Sequence, residues 1–135
     1  MMQRQTPAQD VENRRVFLQY LAEAGWDVEG WDAARNAGVR VDLDAEAEYA
    51  GPALVLSLEL LATHSYLTFQ ASRPDGELVF CLRLYPSGGL AVVLREIVAA
   101  QDMLDADNHP RLIKSLIPLC DPLLIETDRG IFRLS

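Results

Sequence analysis

The chain has 135 residues, 50% of them hydrophobic, with 12 Lys+Arg against 20 Asp+Glu and a formal net charge of −8. That length suits one domain, 1–135, which can bury a core without help from disulfides or a metal. The negative balance disfavours direct nucleic-acid binding, because backbone phosphates select Lys and Arg.

Cys81 and Cys120 stand outside any C-x-x-C pair, and no apolar run is long enough for a signal peptide or a membrane span. A cytoplasmic protein with reduced thiols and no membrane partner is expected. Leu accounts for 21 residues, and 11 of the 12 cations are Arg, with Lys114 the exception. This Ala-, Leu- and Arg-rich usage is what a GC-rich bacterial genome produces. A small domain has limited interior for so much Leu, so part of the apolar surface is expected at an interface.

Thr6-Pro7-Ala8-Gln9 is a helix-start signal, with Thr6 as cap, Pro7 in the first position and Gln9 completing a capping box. The helix runs to about Ala24, where Gly25 stops it, and carries Phe17, Leu21 and Ala24 on one face. Trp26 and Trp31 follow in the near-repeat G-W-D-V-E-G-W-D. They are expected to fold back on a sheet, an exposed binding pair being the alternative. From Val39 apolar residues alternate with Arg40, Asp42, Asp44, Glu46 and Glu48, the pattern of a strand. Its Ala/Glu-rich second half, 44–50, also suits a helical turn.

Gly51-Pro52 breaks the chain. Residues 53–61 are nearly all apolar, as in a central strand, and 66–71 alternate. Arg73-Pro74-Asp75-Gly76 marks a hairpin turn, and 77–85 returns with Leu78, Phe80, Leu82 and Leu84 on one face. Residues 90–98 follow Pro86-Ser87-Gly88-Gly89. After three antiparallel signals a strand is favoured there, although Leu90, Val93, Leu94, Ile97 and Val98 also form a helical stripe. Asp107-Asn108-His109-Pro110 begins a second helix that closes near Pro118. Residues 123–127 and 131–134 form a terminal hairpin. The sum is a two-layer α+β fold: an antiparallel sheet of about five to six strands, an N-terminal helix and a second helix near the C-terminus.

Catalytic and metal chemistry find little footing. His64 falls at a strand junction and His109 at a helix start, both ordinary structural places. Cys81 on a strand and Cys120 at a helix end suit small buried hydrophobes better than nucleophiles. No Cys/His pair has zinc-ligand spacing, and 42–48 lacks the glycine and closing glutamate of a calcium loop. No enzyme activity, cofactor or metal is expected.

The informative pattern is the second face of the strands: Val79, Cys81, Arg83 and Tyr85 on 77–85, and Val55, Ser57, Glu59 and Leu61 on 53–61. A solvated face of an antiparallel sheet is normally more charged. Val55, Val79, Cys81 and Tyr85, with the acidic Asp42, Asp44, Glu46 and Glu48, are therefore the candidate protein interface.

In size, acidity, element order and half-apolar outer sheet face the chain resembles the type III secretion chaperones and the YbjN proteins that share their fold. The resemblance implies a homodimer that binds a protein client, without catalytic site or cofactor. Taken with the charge, which steers in a basic partner, it gives a chaperone-like or adaptor protein acting on a protein client. The competing expectation is an acidic regulator that masks a basic, nucleic-acid-handling protein.

Overall fold

The fold is taken from a computed structural model, which describes residues 7–29, 45–60 and 66–134. Helix α1 spans Pro7–Glu23 and buries Phe17, Leu18 and Leu21, residues spaced to share one face. Gly25, at φ 93°, lets the chain reverse, and the Trp26 N–H bonds back to the Leu21 carbonyl at 2.9 Å.

The chain then builds β1 (Asp27–Glu29), β2 (Ala45–Ala50), β3 (Val55–Leu60), β4 (Leu67–Ser72) and β5 (Leu78–Pro86). Helices α2 (Leu90–Ala100) and α3 (His109–Leu116) and a 3-10 turn (Ile117–Leu119) follow. Strands β6 (Cys120–Thr127) and β7 (Gly130–Arg133) complete the order. The seven strands lie in sequence order, and every neighbouring pair is antiparallel.

Directly opposed residues share a sheet face, so the registers define rows across the sheet. One row runs Val28, Ala47, Leu58, Phe69, Leu82, Ile125 and Phe132, touching all seven strands. Its members from Ala47 to Leu82 are buried in one core with Phe17 and Leu21 of α1, Val93, Leu94 and Ile97 of α2, and Leu112 and Leu116 of α3. The three described helices thus cover this inner face, and α+β with a helical layer on an antiparallel sheet is the observed architecture.

Two expectations change. Residues 90–98 are helix, not strand, because Leu90, Val93, Leu94 and Ile97 repeat every three or four residues and the stripe buries in the core. Among the described residues the sheet has seven strands rather than five or six, since β1 forms in the segment after α1. Of the alternating segment that begins at Val39, residues 45–50 are strand rather than a helical turn, with Ala45 and Ala47 inward and Glu46 and Glu48 outward. Its first part, 39–44, lies outside the described residues, as do Trp31 and His64. Trp26 is buried, with its ring against Tyr49 of β2. Among the described residues no helix is long and apolar enough to cross a membrane.

The hairpin at Arg73-Pro74-Asp75-Gly76 forms as its residues dictate. Gly76 takes φ 96° and its N–H bonds the Arg73 carbonyl at 2.8 Å. Pro110 occupies the first turn of α3, and the helix ends at Leu116, two residues before Pro118.

Candidate protein-binding surface

The outer sheet face is more polar than its strands suggest one at a time. β4 contributes Thr68 and Gln70, β6 contributes Glu126, and β3 contributes Ser57 and Glu59. At its centre Gln70, Cys81, Arg83 and Glu126 form one network. Gln70 Nε2 donates to Cys81 Sγ at 3.5 Å, Cys81 Sγ donates to a Glu126 oxygen at 3.4 Å, and the Arg83 guanidinium pairs with Glu126. Arg83 also lies over the Tyr66 ring, 4.9 Å from its centroid, and Tyr66 meets Tyr85 at a tilt of 52°, ring centroids 5.3 Å apart. The Glu126 carboxylate raises the Arg83 pKa above its ordinary value.

This corrects the reading of the face as an apolar docking plane. Cys81 is only 3% exposed, hidden by its polar neighbours. It supports the face from below and does not present itself to a partner. Val55 and Val79 are half-buried towards one end of the face, and Tyr85 lies at the other beside Tyr66. They do not form one patch. Leu78, placed inward by alternation, is exposed, because the register shifts between β4 and β5 at Ala71/Ser72.

Both thiols are shielded. Burial raises the Cys81 pKa, and burial pushes Cys120 up to about 11. A thiol of pKa about 11 is roughly 0.1% thiolate at pH 8. The two cysteines of the folded protein are therefore expected to react with a disulfide reagent at pH 8 at least about tenfold more slowly than in denaturant. Equal rates in a time course of thiol release would show an exposed nucleophilic thiol. His109 stacks on Phe80, ring centroids 5.4 Å apart, with Nδ1 3.0 Å from the Ala106 carbonyl, a packing role at a helix start.

The acidic strip is built by register. Glu46 stands opposite Glu59, and Glu48 opposite Asp27. Asp42 and Asp44, which the sequence pattern joins to this strip, lie outside the described residues. Like charges directly opposed on neighbouring strands repel. Glu59→Gln is expected to stabilise the protein by about 0.2–1 kcal/mol at low salt, and by less as salt screens the pair. Urea unfolding at two salt concentrations checks this. A stability loss would mean that Glu59 makes a favourable contact that outweighs the repulsion.

The feature that sequence reasoning missed is at the other end of the sheet. Every residue of β7 is exposed, and Ile131, Phe132 and Leu134 retain 49%, 50% and 39% of their accessible surface. Phe132 is the last member of the inner row, beyond the reach of the helices; Ile131 points to the outer face. The legible signal was Ile131-Phe132, two large apolar residues adjacent on a short terminal strand, so that both faces of that strand are apolar. Among the described residues no strand pairs with the outer edge of β7. The chain has no match among family models, curated proteins or solved structures.

Proposed function

We propose that this protein is a non-enzymatic protein-binding module, chaperone-like or adaptor in kind, that acts as a homodimer on a protein client. The uncovered end of the sheet carries this reading. Two apolar rows of the inner face that are buried on the central strands run out at β7 into solvent, leaving Phe132 and Leu134 exposed on one face, with Ile131 exposed on the other. Contiguous exposed apolar surface at the rim of a well-packed core is what a protein contact covers. The order helix, antiparallel strands, helices, strand pair adds support for the likeness to type III secretion chaperones and YbjN proteins. Glu46, Glu48, Glu59 and Asp27 lie at the far side of the outer face, where they would steer a cationic region of the client.

The same carboxylates favour a second reading, a regulator that masks a basic protein. Salt divides the two. Light scattering across low to high micromolar concentration is expected to give a dimer mass at both low and high salt, because apolar contacts survive screening. A monomer throughout overturns the homodimer. A basic partner whose binding is abolished by high salt favours the masking reading instead.

A further inference from the structure

The geometry of β7 points to a specific partner, a second copy of β7, and this inference rests on the homodimer reading above. The Leu134 N–H bonds the Leu123 carbonyl at 2.8 Å. Hydrogen-bonded pairs alternate along an antiparallel ladder, so Phe132, opposite Ile125, also bonds to β6. Ile131, between bonded positions, turns its peptide groups towards the sheet's edge. We propose that two copies join antiparallel through β7, about a two-fold axis at Phe132, so that two seven-stranded sheets run on as one.

A two-fold axis perpendicular to the sheet sets one residue opposite its own copy. With the axis at Ile131, Phe132 would face Gly130 and the apolar inner row would break at the junction; Arg129 would face Arg133, whose guanidinium already pairs with Asp121 at 3.1 Å, so charge does not decide the register. With the axis at Phe132, the two Phe132 rings oppose each other and Ile131 faces the stem of Arg133. The inner row Leu58, Phe69, Leu82, Ile125, Phe132 then continues without a break into the row of the copy. An incoming strand must bring a large apolar residue opposite Phe132, and β7 itself meets that demand. Pairing between such short strands buries less than a standard interface, so the dimer is expected to dissociate on dilution.

Phe132 opposite Phe132 is a non-hydrogen-bonded pair, the closer of the two kinds, and a cysteine there meets its copy at disulfide distance. Phe132→Cys is expected to form a disulfide-linked dimer rapidly under mild oxidant, while Ile131→Cys, on the other face and opposite Arg133, is expected to form little. Ile131→Pro removes an N–H at the open edge without removing a bond to β6, a placement that edge strands tolerate. It is expected to weaken dimerisation at least about tenfold by dilution light scattering, as is Phe132→Glu, which opposes two carboxylates. Leu78→Lys, exposed elsewhere, should dimerise as wild type. Circular dichroism identifies any variant that fails to fold, and the cross-linking comparison stands without them. A wild-type dimer with equal cross-linking at 131 and 132, or with folded Ile131→Pro and Phe132→Glu dimers of wild-type strength, overturns the β7 pairing and leaves the homodimer reading intact. Loss with Phe132→Glu alone, Ile131→Pro remaining dimeric, means that faces meet rather than edges and likewise overturns it. A monomeric wild type removes both.

Discussion

Phe69→Ala is expected to lower the free energy of unfolding by about 3–5 kcal/mol. Phe69 is fully buried in the middle strand of the sheet. It sits between Leu58 and Leu82 in the inner row and meets Phe80 edge to face, ring centroids 5.1 Å apart at 79°. Truncation removes the transfer free energy of the ring, forfeits the edge-to-face contact and leaves a void that strands on both sides hold open. The same row supplies its own control. Phe132 is half exposed, so Phe132→Ala in the monomer should cost well under half as much. Urea unfolding of the two variants at a concentration where the protein is monomeric gives the comparison. A loss below about 1 kcal/mol for Phe69→Ala would mean that the helices can collapse onto the gap, and that the sheet is less rigid than its burial implies.

The contrast between Phe69 and Phe132 also marks what the sequence could reveal. Alternation located β4 and β5, an apolar run located β3, and turn chemistry at Pro74-Asp75-Gly76 and Asp128-Arg129-Gly130 located the hairpins at those two turns, because these signals are local, whereas for β2 the Ala/Glu-rich 44–50 left strand and helical turn both open. The segment 90–98 was harder. Leu, Val and Ile at such density fit a strand or a helix, and only burial of the three-and-four stripe against α1 and α3 decides between them. The outer face misled for a related reason. Val79, Cys81 and Tyr85 look like an apolar plane on their own strand, yet what a sheet face presents depends on the neighbours across the ladder. Here those neighbours are Gln70 and Glu126, which no single-strand reading places beside Cys81. Exposure at β7 is likewise non-local, since it reflects how far a helical layer extends over a sheet.

Gln101 carries the second large expected effect. It ends α2, is 8% exposed, and joins two groups far away in sequence. Trp26 Nε1–H donates to Gln101 Oε1 at 2.6 Å, and Gln101 Nε2 donates to the Ala24 carbonyl at 3.0 Å. One amide thus satisfies a buried indole and a carbonyl at the end of α1. The Trp26 ring packs against Tyr49, centroids 5.5 Å apart, and the Tyr49 hydroxyl donates to Asp102, which raises the Tyr49 pKa above its ordinary value. α1, β2 and the end of α2 are therefore held at one point. Gln101→Leu fills similar volume but leaves the indole N–H and the Ala24 carbonyl without that partner. Each orphaned buried group costs about 1–3 kcal/mol, so a total loss of about 2–6 kcal/mol is expected for the two. Trp26→Phe removes the donor and orphans the Gln101 oxygen instead. Because both substitutions break the same bond, the double variant should be destabilised by less than the sum of the singles. Chemical denaturation of all four proteins closes the cycle. Strict additivity would show that the indole and the amide do not depend on each other, and that Trp26 is held by packing alone.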